Sequence, residues 1–214
     1  MIKSAENDAA CSRMLRFARA EDGAVAIEFS ILTPLLAVLL LFTVEASSAT
    51  WTRTAVEESA AALADITTQF SEIDDAGVRT VFEAAREILM LEGRGGDVEM
   101  TLSSVLSCPC ETDADRFCFS VIWSEGYTYG GGGGAMAAGR PTGSEVLDLP
   151  QELGNPNGTV VIGEVAYSYQ PPLSFALFDG NVLDLTARVD FLPRVSREVL
   201  HVGSQASSRR AVCE

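Results

Sequence analysis

The sequence predicts an α+β protein that begins with a membrane-spanning helix. One apolar run of membrane-spanning length lies near the N-terminus, and a helical spacing of apolar residues continues beyond it. Further along, β-branched and aromatic residues occur in short alternating runs, which are typical of half-buried strands. We therefore expect four parts in series: a cytoplasmic leader (1–23), a transmembrane helix (24–44), a helical stalk with a second helix (45–92), and a mainly β extracytoplasmic domain (93–214).

The transmembrane helix is predicted from length and composition. Of the 21 residues in Ala24–Val44, 16 are apolar. At about 1.5 Å per residue, such a helix crosses the roughly 30 Å hydrocarbon core of a bilayer. Beyond it, Arg53 is the only basic residue before Arg79, whereas the short leader holds four: Lys3, Arg13, Arg16 and Arg19. Because short basic flanks remain cytoplasmic, we expect the N-terminus inside the cell and residues 45–214 outside.

Cleavage as an ordinary secretory signal is an alternative, since Glu45–Ala49 offers a small-x-small site just after the apolar run. Two features favour a retained helix. The run is longer than the apolar core of a usual signal peptide, and the helical pattern continues past it without a break.

Glu28 and Pro34 are unusual residues inside this run. A carboxylate at the centre of a membrane helix costs about 2.5–3.5 kcal/mol on insertion scales and is usually functional. Near the cytoplasmic interface, the same carboxylate would reach the headgroups at little cost. Pro34 has no N–H to donate, so we expect it to kink the helix, which membrane helices tolerate. Position alone leaves a purely structural role open for both residues.

The helical pattern after the membrane run predicts a stalk from Glu45 to about Phe70. Its apolar stripe is expected to pack on the chain's own outer domain; the stripe consists of Ala49, Val56, Ala60, Leu63, Thr67 and Phe70. Asp74 and Asp75 indicate a break and a helix cap. A second helix is expected at about Ala76–Leu91.

The rest of the chain predicts a small antiparallel sheet packed against the long helix. The candidate strands are Val98–Leu106, Phe117–Trp123, Thr159–Tyr169 and Val182–Leu192. Between them, Gly126–Gly143 contains five consecutive glycines, and no Gly-Lys-Ser/Thr follows as a phosphate loop would require. We expect this segment to be a flexible surface loop, with Tyr127 and Tyr129 anchoring one end.

Composition excludes several classes of function. The chain has 30 acidic and 15 basic residues, a net charge of −15, and a mean hydropathy of +0.18. Such acidity argues against a nucleic-acid partner, because phosphate binding needs a basic face. The single histidine, His201, and the single lysine, Lys3, disfavour most catalytic and metal sites. We therefore expect a protein that is not an enzyme and has no cofactor and no metal, with His201 incidental in a polar tail.

The five cysteines predict disulfides outside the cytoplasm. Cys11 lies in the leader, which leaves four: Cys108, Cys110, Cys118 and Cys213. Cys108 and Cys110 are poorly placed to bond each other, so we expect one of them to pair with Cys118 and the other with Cys213. The choice between these two pairings stays open. A zinc or redox site is the rival interpretation, but the paired C-x₂₋₄-C spacing typical of zinc is missing.

The segment Gly23-Ala24-Val25-Ala26-Ile27-Glu28-Phe29 resembles the processing signal of type IV prepilins: a charged leader ending in Gly, four residues, Glu, an aromatic residue, and an apolar helix. The wider stretch FARAEDGAVAIEFSILTPLL, residues 17–36, is similar to the opening of TadE-like and TadF-like minor pilins of the tight-adherence (Flp) pilus system. The resemblance covers roughly residues 16–70. Beyond that range only the general shape and a late strand ending at Arg194 are similar.

The resemblance implies that a membrane prepilin peptidase cuts after Gly23, which leaves Ala24 as the new N-terminus. It implies that Glu28, followed by Phe29, sets the register of the helix among other pilin helices, because Glu28 could pair with a neighbour's free amine. Expected partners are the inner membrane, the peptidase, other pilin subunits and the assembly platform. The protein would reside in the bacterial inner membrane, with its outer domain in the periplasm, or in the pilus.

Two alternatives from other classes stay open. One is an uncleaved, single-pass periplasmic binding or adhesion protein of the TadG-like type, although no Asp-x-Ser-x-Ser motif supports its usual metal-binding region. The other is a periplasmic thiol or metal enzyme that uses the cysteine cluster. The sequence also leaves open whether the protein is TadE-like or TadF-like, and whether it is a component of the fibre or only an assembly factor.

Overall fold

A computed structural model describes residues 22–90, 97–110, 116–156, 158–171 and 182–203. The chain divides into two compact units, Met1–Ala46 and Ser47–Glu214. Helix α1, Asp22–Thr68, supplies the described residues of the first unit and enters the second. In the described part of the chain it is the one helix long and apolar enough to cross a membrane, which suggests a membrane anchor.

The second unit combines helices with two sheets, which confirms the predicted α+β class. After α1 come strand β1 (Glu72–Asp74), helix α2 (Asp75–Met90), strands β2 (Val98–Pro109), β3 (Phe117–Gly130) and β4 (Gly133–Ala138), a 3-10 turn (Gln151–Leu153), and strands β5 (Thr159–Tyr169), β6 (Leu183–Phe191) and β7 (Leu200–Val202). Strands β2 to β6 form an antiparallel sheet in the order β4-β3-β2-β5-β6. Strands β1 and β7 form a separate parallel pair.

The cap predicted before the second helix is present. The side chain of Asp74 accepts a hydrogen bond from the Gly77 N–H at 2.8 Å, which satisfies one of the free donors at the start of α2. Helix α2 ends at Met90, within one residue of the predicted end. The predicted stalk differs at its end, because α1 stops at Thr68 and Phe70 is exposed rather than part of the packed stripe.

A bulge in β3 changes the face of the sheet on which its following side chains lie. Trp123 pairs with Ser104 and Val121 pairs with Val105, so Ile122 is the extra residue. As a result, Ile122 and Trp123 both belong to the core that the sheet shares with α1 and α2, whereas Phe119 and Val121 belong to a second cluster. The second cluster is closed by Val146 and Leu149 of the segment that leads to the 3-10 turn.

Helix α1 packs directly on the sheet at Gly163 of β5. The predicted stripe residues Val56, Ala60 and Leu63 are buried in the shared core. A Cβ atom at Gly163 would lie 2.6 Å from the backbone oxygen of Ala60 and 3.1 Å from the backbone N of Ala64. The absence of a side chain at Gly163 is therefore what lets the helix approach so closely.

Gly163→Ala should destabilise the outer domain by about 1–3 kcal/mol, because a methyl group there forces the α1 backbone away from β5. Urea unfolding followed by fluorescence of the buried Trp123 measures the loss. The control is Gly133→Ala in β4, where an added Cβ meets nothing within 4 Å; we expect it to change stability by less than about 0.5 kcal/mol. Equal effects of the two variants would contradict the packing described here.

The expectation of a flexible loop over Gly126–Gly143 is wrong for Gly126–Ala138, which forms a β-hairpin. Gly126–Gly130 belongs to β3 and Gly133–Ala138 is β4, so most of the glycine run is paired strand. The turn between them, Gly131-Gly132, has φ values of +59° and +106°, which a two-residue hairpin turn requires. Strand pairing uses only backbone atoms, so glycine does not prevent it when neighbouring side chains hold the strand in place.

Tyr127 and Tyr129 anchor this hairpin to α2, as expected. The Tyr127 ring stacks on Phe82 of α2 with centroids 5.4 Å apart, and Arg86 lies 4.8 Å above the Tyr129 ring. Tyr127 also covers Gly134, whose missing side chain leaves room for the phenol. The hairpin is thus fixed to α2 through its aromatic side chains.

Candidate functional site

The first unit presents an apolar surface on every side of α1. All described residues from Ala26 to Val44 are exposed. The large apolar side chains among them are between 37% and 68% exposed: Ile27, Phe29, Ile31, Leu32, Leu35, Leu36, Val38, Leu39, Leu40, Leu41, Phe42 and Val44. A helix that is apolar all round is stable only when other helices or lipid cover it. The exposed apolar surface of this segment is what a membrane anchor requires.

The hydroxyl groups in this segment bond to its own backbone. Ser30 donates to the Ile27 carbonyl at 2.8 Å, Thr33 to the Phe29 carbonyl at 2.7 Å, and Thr43 to the Leu39 carbonyl at 2.8 Å. Because these polar groups are already satisfied, they cost little in an apolar environment. Helix α1 also continues through Pro34 without interruption in its secondary structure.

Glu28 differs from these hydroxyl groups, since it carries a formal charge and its side chain is exposed. Gly23 and Ala24 lie in the first turn of α1, and Phe29 is 65% exposed. Residues four apart share a helix face and are separated by about 6 Å along the axis, so Ala24 and Glu28 are neighbours. Residues 1–21 of the predicted leader, with Cys11, lie outside the described residues.

The cysteine expectation left two pairings open, and the structure contains the pairing Cys110–Cys118, with Cα atoms 5.1 Å apart. Closing a loop this short stabilises the fold by about 2.5 kcal/mol through chain entropy. Cys108 is also disulfide-bonded, and Cys213, its expected partner, lies outside the described residues.

The end of β3 next to the disulfide is held by a side chain as well. The Gln151 amide accepts from the Phe117 N–H at 2.8 Å and donates to the Phe117 carbonyl at 3.1 Å. The Cys110 N–H donates to the Arg116 carbonyl at 2.9 Å. The disulfide and these hydrogen bonds together fix the start of β3 against β2 and the 3-10 turn.

A second group of polar residues gathers where the β1–β7 pair meets α2 and β3. Asp75 is the first residue of α2, Glu125 lies in β3, and His201 lies in β7 opposite Ile73. One ligand-type atom from each of the three residues lies within 4.8 Å of the others. His201 is therefore not incidental in a polar tail, as the sequence suggested, but is 6% exposed in a paired strand.

The imidazole of His201 is packed against another aromatic ring, but its nitrogens lack hydrogen bonds in the part of the chain that the structure describes. Its ring lies 5.2 Å from the ring of Trp123, whose indole N–H donates to the Val199 carbonyl at 2.8 Å. Its Nε2 is 3.2 Å from Oδ1 of Asp75, yet the geometry is not that of a hydrogen bond. Among the residues that the structure describes, neither ring nitrogen has a hydrogen-bond partner.

In this cluster, the surroundings of Glu125 disfavour the ionised form of its carboxyl group. Burial raises the pKa of its carboxyl group above the ordinary value, the nearby His201 opposes the rise, and Asp75 adds to it. No sequence signal pointed to this cluster, because its members lie far apart in the chain. A lone histidine between valines, Val199 and Val202, was the one available hint of a buried strand.

Comparison with known proteins identifies one family. Residues 23–65 match the model of the TadE-like protein family, which confirms the resemblance inferred from the N-terminal residues. The match begins at Gly23 and ends at Asp65, so it covers the exposed apolar segment and most of the part of α1 that packs on the sheet. No curated protein and no solved structure matches the chain. The family match is consistent with a TadE-like protein of the tight-adherence pilus system.

Proposed function

We propose that this protein is a minor pilin or pseudopilin that takes part in assembly of a tight-adherence pilus, after prepilin peptidase removes residues 1–23. The observation that carries the proposal is the TadE-like match, which starts at Gly23, the residue before the proposed cut. The family is a pilus component and is not known as an enzyme, which supports a structural role.

The proposed mechanism is helix packing through residues 24–44. Cleavage after Gly23 leaves a free amine at Ala24, one helical turn from Glu28. When another pilin helix approaches, Glu28 can pair with that neighbour's amine, so that a costly carboxylate in an apolar environment becomes half of an ion pair. The exposed apolar side chains around it supply the packing surface, and the ion pair fixes the register.

The outer domain, on this proposal, stays in the periplasm while α1 is held in the inner membrane. The basic leader supports that orientation, since short basic flanks remain on the cytoplasmic side. The Cys110–Cys118 disulfide supports it too, because such bonds persist in an oxidising compartment. The packed residues of α1 at Gly163 tie this domain to the helix that enters the pilus machinery.

Deleting the gene in the native host should abolish tight-adherence pili, and expressing the full chain should restore them. The matched variant carries residues 47–214 behind an unrelated cleavable signal, so that it keeps the outer domain but lacks the helical segment. We expect it to be exported and stable but unable to restore pili, as counted by electron microscopy. Pili in the deletion strain, or rescue by residues 47–214 alone, would contradict the proposal.

Shearing the pili from cells separates the two remaining roles. A fibre subunit is found with the sheared pili at low stoichiometry relative to the main pilin. An assembly factor stays in the membrane fraction. Immunoblotting of both fractions with an antibody to the outer domain measures the distribution.

A further inference from the structure

We propose that Asp75, Glu125 and His201 form a binding site for a divalent transition metal, with Zn²⁺ as the best fit. The proposal departs from the expectation of no metal drawn from the sequence, and it does not depend on the pilus assignment. The site joins three elements that are distant in the chain, namely the start of α2, the middle of β3 and strand β7.

The spacing of the three side chains suits one ion. Zn²⁺ binds histidine nitrogen and carboxylate oxygen at about 2.0–2.2 Å, so tetrahedral ligands lie about 3.5 Å from each other. The ligand atoms of Asp75, Glu125 and His201 already lie within 4.8 Å of one another. Small side-chain rotations, well within the freedom of the 59% exposed Asp75 side chain, bring them to this spacing. Water completes the coordination on the exposed side.

His201 is the observation that points to a ligand rather than to an ordinary acidic cluster. Its side chain is fully buried, its ring is fixed beside Trp123, and both ring nitrogens lack hydrogen-bond partners among the described residues. A buried polar group without a partner costs about 1–3 kcal/mol. Because Nε2 faces Asp75, a metal bound between them would satisfy that nitrogen.

Two neighbouring residues, Gly203 and Trp123, leave space for an ion and leave the His201 ring nitrogens free to bind it. A Cβ atom at Gly203 would collide with Oδ1 of Asp75 and would lie 3.0 Å from Cε1 of His201. A glycine directly after β7 therefore leaves room for the carboxylate and the ring to face each other. The Trp123 indole N–H donates its hydrogen bond to the Val199 carbonyl, so it does not donate to a ring nitrogen of His201.

The charges favour a divalent cation with some affinity for nitrogen. Asp75 and Glu125 repel each other, and desolvation already disfavours ionisation of Glu125. A bound cation offsets both costs, because its positive charge attracts the two carboxylates. One imidazole and two carboxylates suit Zn²⁺, whereas Mg²⁺ and Ca²⁺ prefer oxygen ligands alone. The expected consequence is that the ion holds β7 to α2 and β3, in addition to the backbone pairing of β7 with β1.

The test is Zn²⁺ titration of the purified full chain in detergent, in a Cys11→Ser background, without reductant and after removal of metals by EDTA. We expect one equivalent of Zn²⁺ per chain by calorimetry and by elemental analysis. Asp75→Asn and Glu125→Gln should each weaken binding by at least about 10-fold, since loss of even a hydrogen-bond partner of a metal ligand costs about 10–100-fold. Mg²⁺ at the same concentration should not compete.

The matched control is Glu72→Gln, which removes an exposed carboxylate from β1 of the same two-stranded sheet and should leave Zn²⁺ affinity within about twofold. Equal affinity in all variants, or no binding by the unsubstituted chain, would overturn the proposal and leave the three residues as a polar cluster without a bound ion.

Thermal unfolding of Glu125→Gln separates a metal ligand from a merely structural residue. Without metal, Glu125→Gln should unfold at the same or a higher temperature than the unsubstituted chain, because the amide removes the repulsion between the Glu125 and Asp75 carboxylates. With Zn²⁺ present the order should reverse, because only the unsubstituted chain gains stability from the ion. An order that Zn²⁺ does not change would count against the site.

Discussion

Replacing Glu28 with leucine should leave insertion and processing intact but impair piliation. Leucine makes the apolar segment more favourable in the bilayer, by removing a carboxylate that costs about 2.5–3.5 kcal/mol at the centre of a membrane helix. It also removes the group that would pair with a neighbour's N-terminal amine. Counting pili by electron microscopy, with immunoblots of the membrane fraction, separates assembly from insertion.

Ser30→Ala is the control for the Glu28 substitution. Ser30 lies in the same exposed apolar segment, but its hydroxyl is already bonded to the Ile27 carbonyl. We expect its removal to leave piliation unchanged. Glu28→Gln should behave like leucine, because the amide is a polar group of similar size without the charge. Normal fibres in Glu28→Leu would rule out the register role, even if the protein is a pilus component.

Gly23→Val should retain the protein as its precursor and prevent piliation. On the proposed function, the prepilin peptidase approaches the backbone closely at the bond after Gly23, and a β-branched side chain would obstruct that approach. Immunoblots should show a single band larger than the unsubstituted protein by the mass of residues 1–23. The chain should still insert, since residues 24–44 are unchanged.

Ala26→Val places the same bulk three residues beyond the proposed cut. We expect this variant to be processed and assembled normally, because valine is well tolerated in a membrane helix. If Gly23→Val has the same electrophoretic size as the unsubstituted chain, processing after Gly23 does not occur.

The fold class was predictable because its main signals are local. The apolar stripe of the stalk, the Asp74 cap and the alternating run Thr159–Tyr169 are each visible within a short window of sequence. The bounds of β5 agree with the predicted strand residue for residue. Strand β3 was predicted too short, since the bulge at Ile122 interrupts the alternation and the following glycines carry no pattern.

The polar cluster was not predictable, because it depends on long-range pairing. Strand β7 is three residues long and pairs in parallel with β1, which aligns His201 with Ile73. Short parallel pairing between distant segments leaves no periodic signal in either one. The choice between Cys108 and Cys110 as the partner of Cys118 was not predictable either, because it depends on how β2 and β3 are held together. In the β2–β3 register Cys108 lies directly opposite Cys118, yet the disulfide joins Cys110 to Cys118.

N-terminal sequencing of the protein extracted from the membranes of its native host tests the central claim most directly. The proposal of a processed pilin predicts that the sequence begins at Ala24, as AVAIEF. A protein that begins at Met1 would be an uncleaved membrane anchor, and one that begins within Glu45–Ala49 would be a secreted domain released by signal peptidase. Either of these results would contradict the assignment as a processed pilin.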